Sequence, residues 1–316
     1  MALSLIFPGQ GSQAVGMGRS LSDAFPSAKT VFEEVDEALG ENLTRVMWDG
    51  PIETLTLTKN AQPALMACSL GAMRVLESEV GFSLEDACRS VAGHSLGEYS
   101  ALAAAGSLSI ADTARLLRIR GEAMQAAVPV GQGAMAAILG LDIEAIESIA
   151  AEAAGDEICA AANDNAPGQV VVSGNAAAID RAIALAKEQG AKRALPLPVS
   201  APFHCALMAP AADVMAEALA NVSIKPPLVP LFSNVKAGPI SDPEEIRTKL
   251  VEQVTGAVRW RESIQAMFAD GTTTFLEVGT GKVLSGLVKR IDRAATVLNF
   301  GEATDLNSVN VALGNG

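Results

Sequence analysis

One five-residue segment, Gly93-His94-Ser95-Leu96-Gly97, limits the fold of this chain more than any other. A short apolar run at 90–93 leads into it, and an Ala-rich helical pattern at 96–105 leads out. G-x-S-x-G between a strand and a helix is a sharp turn that pushes the serine hydroxyl into the open, with glycines where side chains would collide. The helix start directs backbone N–H groups at the same point, so the amide of Leu96 is the natural donor to a developing oxyanion. An accidental Gly-Ser turn is the alternative; the strand before it and the helix after it favour an exposed nucleophile.

The rest of the chain supplies a frame for such a turn. Leu3–Phe7 is an apolar run that ends in Pro8-Gly9-Gln10-Gly11-Ser12-Gln13, which reads as a buried strand and a Gly-rich loop. Helices follow at 27–39 and 62–79, and Ser109-Ile-Ala-Asp112 has the capping-box spacing for a helix to about 127. Between breaks at Pro129 and 198 the pattern changes to strand 134–139, helix 143–154, strands 157–162 and 169–173, helix 176–188 and strand 192–197. That βαββαβ order is ferredoxin-like. Beyond it, strands at 228–234, 273–278 and 296–299 alternate with helices 243–253, 259–269 and 282–291. The expectation is an α/β protein: a large α/β-hydrolase-like domain (1–128 and 199–316) with a mostly parallel sheet, and a small inserted domain at 129–198. A length of 316 residues suits one large and one small unit.

Composition excludes several functions. The formal net charge is −13 and Lys and Arg do not cluster, so nucleic acid is not the expected partner. No apolar stretch is long enough to span a membrane. The N-terminal run lacks a basic leader and a cleavage site, and the four cysteines show no C-x-x-C pairing. A cytoplasmic protein with no metal site is expected.

Histidine is scarce. His94 and His204 are the only two. A serine needs a base, and side chains adjacent on a tight turn diverge, which leaves His204 as the better candidate and His94 as a shaper of the turn. A structural role for His204 remains the alternative. An ordinary serine hydrolase places its histidine late in the chain, whereas more than a hundred residues follow His204 here. No acidic residue marks itself as a third member, so a carbonyl oxygen could orient the imidazole. Cys205 has no elbow of its own.

Arg120 lies in the middle of the apolar stripe formed by Leu116, Leu117, Ala123 and Met124. Arg115, Arg118 and Glu122 fall on the opposite side, with Arg118 and Glu122 spaced for a solvated i,i+4 pair. An inward guanidinium needs an anion. Two readings stand: a structural pair with some Asp or Glu, or a fork for the carboxylate of a dicarboxylic acyl substrate.

Phe7-Pro-Gly-Gln-Gly-Ser-Gln13, Gly93-His-Ser-Leu-Gly-Glu-Tyr99, Arg120-Gly121, Pro202-Phe-His204, Gln253 with Val258-Arg-Trp260, and Glu277-Val-Gly-Thr-Gly-Lys282 together resemble the malonyl-CoA:acyl-carrier-protein transacylase family, over essentially the whole chain. The resemblance implies ping-pong transfer of a malonyl group from malonyl-CoA to the phosphopantetheine thiol of acyl carrier protein, through an ester on Ser95. It implies a Ser95–His204 dyad, with the main-chain carbonyl of Gln253 orienting the imidazole. Gln10 and Leu96 match the oxyanion donors and Arg120 the carboxylate-binding arginine. Asn163 lines the cleft, His94 stands near the substrate, and Phe203 crowds out an α-methyl branch. No cofactor is implied: the coenzyme A thioester is a substrate, and the carrier brings its own phosphopantetheine. A monomer serving fatty acid chain extension is expected, with Lys192, Arg193, Lys282, Lys289 and Arg290 as a candidate basic rim for the carrier. A serine thioesterase or hydrolase, a polyketide malonyltransferase and a non-catalytic carrier-binding subunit are the competing readings. Two departures are mild: Ala257 and Thr280 stand where many relatives have proline.

Overall fold

The structure is a computed structural model that describes residues 2–199 and 201–314; residues 1, 200, 315 and 316 of the expected domain segments lie outside the described residues. Ten strands form two sheets: β1 Leu3–Phe7, β2 Cys88–Gly93, β3 Gly133–Leu139, β4 Cys159–Ala166, β5 Gln169–Asn175, β6 Arg193–Pro196, β7 Leu231–Ser233, β8 Gly238–Ile240, β9 Thr274–Val278 and β10 Thr296–Phe300.

The larger sheet has the order β10-β9-β1-β2-β7-β8. Every pairing from β10 to β7 is parallel, and β8 closes one edge antiparallel to β7. All five residues of β1 are buried, because helices cover both faces of the sheet. The period of two then assigns the side chains. Leu3, Leu5 and Phe7 enter one core with Val91 and Leu276, while Ile6 enters a second core with Ala92, Phe232, Trp260 and Phe275. Ser4 shares the Ile6 side, and its hydroxyl lies 2.9 Å from both Ser90 Oγ and Thr272 Oγ1. A buried hydroxyl is tolerated there because it is hydrogen-bonded.

The smaller sheet is antiparallel, in the order β4-β5-β3-β6. Relabelled within the segment this is 2-3-1-4, the ferredoxin-like arrangement. Helices Ile143–Ala154 and Ala176–Glu188 cover one face, where Ala136, Ile138, Val170 and Val172 meet Ile146, Ile149, Ile179 and Ala182. Met135 and Val171 point the other way and join the core of the large sheet.

Strand β4 is the seam. It extends to Ala166, beyond the expected 157–162, because register shifts at Ala161/Asn163 and Asp164/Ala166 absorb extra residues. At those bulges it leaves its own sheet and pairs with the segment at Val258: Val258 N–H donates to Ala162 O at 2.8 Å, and Asp164 N–H donates to Val258 O at 3.0 Å. The buried Asp164 carboxylate takes Arg261 Nε at 2.9 and 3.1 Å and Nη2 at 2.7 Å.

Other elements differ in extent. The expected strand 228–234 is confined to Leu231–Ser233, since Pro226, Pro227 and Pro230 precede it. Helix Thr58–Val75 begins a turn earlier than expected. Helix Ala209–Ala220 was not expected from the pattern, although Ala211, Met215 and Leu219 are its buried i, i+4, i+8 face.

Candidate active site

Strand β2 ends at Gly93, and the helix Gly97–Ala104 begins four residues later. Ser95 sits between them at φ 53°, in the left-handed region, at a cost of about 1–3 kcal/mol for a non-glycine residue. The flanking glycines are obligatory. A Cβ on Gly93 would lie 1.9 Å from the backbone of Gly97, and one on Gly97 would lie 2.3 Å from Phe7 O. Asn234, just past β7, holds the turn: its Oδ1 accepts from Ser95 N–H at 2.8 Å and its Nδ2 donates to Gly93 O at 2.7 Å.

Ser95 Oγ lies 2.8 Å from His204 Nε2, and His204 Nδ1 lies 2.8 Å from the main-chain oxygen of Gln253. A carbonyl only accepts, so Nδ1 carries the hydrogen and Nε2 is left as the acceptor for the serine proton. Among the described residues no carboxylate occupies the third position. Burial, and then the charge of Arg120, push the His204 pKa down to about 3, so the imidazole is a neutral base at neutral pH. His204 is itself left-handed, at φ 60°. The neighbouring Cys205 is buried, its thiol donates to Pro202 O, and burial raises its pKa, so it is no competing nucleophile.

Arg120 is only 1% exposed. Its Nη1 donates to Gln62 Oε1 at 2.8 Å; its Nη2 donates to Gln253 Oε1 at 2.8 Å and to Ser95 Oγ at 3.1 Å. All three acceptors are neutral. Among the described residues it forms no ion pair, which removes the reading of Arg120 as half of a structural salt bridge. A buried guanidinium without a direct anion carries an uncompensated desolvation cost that an incoming carboxylate would offset. The expectation for Arg118 is corrected: it is largely buried, pairs with Glu41 rather than Glu122, and donates to Asn60 Oδ1. Arg115 and Glu122, on the same side of the helix Ile110–Ala126, are exposed as expected.

These groups converge on a cavity of about 350 Å³ lined by Gln10, Leu96, His94, Ser95, Arg120, Asn163, Phe203 and His204, together with Gln62, Met124, Met135 and Leu197. Every expected site residue borders it except Gln253, which lies fully buried behind His204 and Arg120. The N–H groups of Gln10 and Leu96 have no protein acceptor among the described residues, as an oxyanion site requires. His94 Nε2 is 2.8 Å from Asn165 Oδ1, and burial lowers its pKa, so it is a neutral donor tying the elbow to β4. A larger hollow of about 430 Å³, bordered by Asp23, Glu33, Asp36 and Trp48, holds none of these groups.

Sequence reasoning missed Asn234, Gln62, Asn165 and Glu98. Gln62 stands in the first turns of its helix beside Lys59 and Asn60, where a polar residue is ordinary, and Glu98 stands unassigned within the Gly93–Tyr99 motif. Glu98 is fully buried, and its Oε2 accepts from Gln253 Nε2. Burial pushes its carboxyl up to about 7, against the pull of Gln253, Asn234 and Arg120.

Comparison with known proteins is consistent across the whole chain. Residues 4–298 match the family model described as an acyl transferase domain. The malonyl CoA-acyl carrier protein transacylase of Bacillus subtilis is 48% identical over 292 residues, 92% of this chain and 90% of that one. The crystal structure of an acyl-carrier-protein-S-malonyltransferase from Bartonella henselae, 53% identical, superimposes with a TM-score of 0.97, covering 99% of this chain and all of that one. A malonyl-transacylase solved in complex with its type II PKS acyl-carrier protein is 41% identical, with a TM-score of 0.95, over 99% of this chain and 100% of that one.

Proposed function

We infer the reaction from one premise: this chain belongs to the malonyl CoA-acyl carrier protein transacylase family of acyl transferases. It transfers a malonyl group from malonyl-CoA to the phosphopantetheine thiol of acyl carrier protein. The observation that carries this reading is a serine and a neutral histidine 2.8 Å apart, beside a buried arginine that lacks a carboxylate.

Malonyl-CoA enters with its free carboxylate on Arg120. His204 Nε2 takes the proton from Ser95 Oγ as the oxygen attacks the thioester carbonyl. The resulting oxyanion lies against the amides of Gln10 and Leu96, each worth on the order of 3 kcal/mol in such sites. The C–S bond breaks, the coenzyme A thiolate takes the proton from His204, and malonyl-Ser95 remains. The carrier thiol then attacks the ester and the same steps run in reverse. Gln253 contributes through its main-chain oxygen, which holds the His204 tautomer.

The malonyl carboxylate would replace the Ser95 contact at Arg120, fixing the acyl group so that water finds no productive line of attack. Phe203 at the cavity wall disfavours an α-branched acyl group, and Asn163 and His94 border the acyl and pantetheine path. The chemistry calls for no cofactor. Lys192 and Arg193 are exposed just before and at the start of the strand that leads to Leu197 at the cavity wall. Lys282 follows Gly281, which packs on Ser12 in the Gln10 loop. With Lys289 and Arg290 these form the rim proposed to meet an acidic carrier. The proposed setting is a cytoplasmic monomer supplying fatty acid chain extension. Among the described residues no helix is long and apolar enough to cross a membrane.

Intact-mass measurement after mixing with malonyl-CoA, followed by peptide mapping, tests the reading. One malonyl adduct on Ser95, discharged by carrier thiol faster than by water, is the expected result. Release of malonate without an acceptor would make the protein a hydrolase, and absence of an adduct would make it a binding subunit.

A further inference from the structure

The mechanism makes no direct use of Glu98, yet this carboxyl is entirely buried one residue into the helix that starts at the elbow. Among the described residues it has no ion-pair partner. Burying a carboxylate without a paired cation is costly, so its hydrogen bonds must be informative.

The amide of Gln253 explains it. Its Oε1 accepts from Arg120 Nη2, while its Nε2 donates to Glu98 Oε2 and, at 3.0 Å, to Ser95 O. A guanidinium can only donate. A main-chain carbonyl can only accept, and Glu98 Oε2 accepts whether the carboxyl is ionised or carries its proton on Oε1, which has no partner among the described residues. If the amide turned over, its oxygen would face two acceptors and its nitrogen would face a donor. Glu98 and Arg120 therefore admit one orientation of Gln253 between them. Asn234, whose N–H approaches Glu98 Oε2 at 3.4 Å, ties the same carboxyl to the brace of the elbow.

We propose that Glu98 is a positioning residue for acyl selection: by fixing the Gln253 side-chain amide it holds the Arg120 guanidinium where the acyl carboxylate must bind. Glu98 touches neither substrate nor reacting atoms, and its effect on acyl selection passes through Gln253. When ionised it also places a negative charge one amide away from Arg120, close enough to steady the cation and too far to compete with an entering carboxylate for its fork.

The inference rests on the malonyl-transfer reading, so the test begins with wild type. Wild-type enzyme that fails to form malonyl-Ser95 would sink that reading, whereas loaded wild type with unaltered variants would sink only the role of Glu98. Single-turnover loading of Ser95 from malonyl-CoA and acetyl-CoA is measured for Glu98→Ala, Glu98→Gln, Glu98→Asp and Gln253→Ala, and for Glu98→Ala combined with Gln253→Ala. Glu98→Ala should narrow malonyl-over-acetyl preference by about tenfold, the scale of one oriented hydrogen bond to a charged group. The loss should appear chiefly as raised KM for malonyl-CoA. Glu98→Gln, which can still offer an oxygen to Gln253, should recover most of the preference. Glu98→Asp keeps the charge but withdraws it by one methylene, and should not recover it. In the Gln253→Ala background, removing Glu98 should change the preference no further. If Glu98→Ala does not fold, the contrast between the Gln and Asp variants decides the matter. Unchanged preference in the folded variants, or equal losses of malonyl and acetyl loading that follow thermal stability alone, would reduce Glu98 to a structural residue.

Discussion

The two sheets meet at one cavity and contribute different things to it. The parallel sheet ends at its centre in β2, and Ser95 stands just past that end, where ligands bind in open α/β sheets. Ser95, His204, Arg120, Gln253 and the two oxyanion amides all belong to its part of the chain. The antiparallel sheet contributes walls: Met135, Asn163 and Leu197. The attachment also differs. The elbow is held by the two hydrogen bonds of the fully buried Asn234, whereas the small sheet is sewn on through consecutive residues of β4, from Ala162 to Asn165. Reacting atoms need fixed geometry, and a cover needs only to be present and well aimed. Damage to the first region should therefore appear in the chemical step, and damage to the seam in substrate affinity.

The strongest test is Ser95→Ala, which should abolish the acyl adduct and lower transfer by about 10⁴-fold or more, as removal of nucleophiles does elsewhere. Arg120→Ala comes next. Malonyl loading should fall by about 10²- to 10³-fold while acetyl loading changes little, read from competing thioesters by mass. Asn234→Ala leaves Ser95 N–H and Gly93 O without partners, at about 1–3 kcal/mol each; calorimetry should show the loss, and kcat for loading should drop with KM nearly unchanged. At the seam, Arg261→Ala leaves the buried Asp164 carboxylate unpaired. KM for malonyl-CoA should rise several-fold while adduct formation at saturation persists, and equal effects on kcat and KM would erase the proposed division of labour.

The smallest effect concerns pH. The His204 imidazole is held near 3 against an ordinary value of 6.5. The kcat/KM profile for loading, which reports the free enzyme, should show no loss of base as pH falls through 6.5; that limb belongs well below it. Stability carries the opposite sign of benefit. Between about 3 and 6.5 the unfolded chain binds a proton at this histidine and the folded chain does not, so this group makes the fold less stable as pH falls through that window.

The large sheet, the ferredoxin-like segment and the Ser95, His204 and Arg120 triplet were all legible in the sequence, since each rests on short-range patterns: apolar periodicity, a Gly-flanked serine, a scarce residue type, a charge on an apolar stripe. What stayed hidden depends on distant partners. Asn234 meets Ser95 from 139 residues away, and no local pattern announces an asparagine at the end of a three-residue strand. Arg118 reads as solvated from its own helix, and its partner Glu41 lies in a distant loop. The bulges of β4 escaped because Asn163-Asp164-Asn165 has turn composition, and only the pairing with Val258 makes it a strand.

The left-handed backbone at residues 95 and 204 bears on which side chains the pair can ever accept. Threonine offers the same hydroxyl as serine, but a branched β-carbon is a severe outlier at positive φ. Cysteine, unbranched, meets no such obstacle. The bend at this corner thus acts as a sieve on descent: a thiol successor at position 95 lies one tolerable change away, while the chemically closer alcohol is barred by its methyl group.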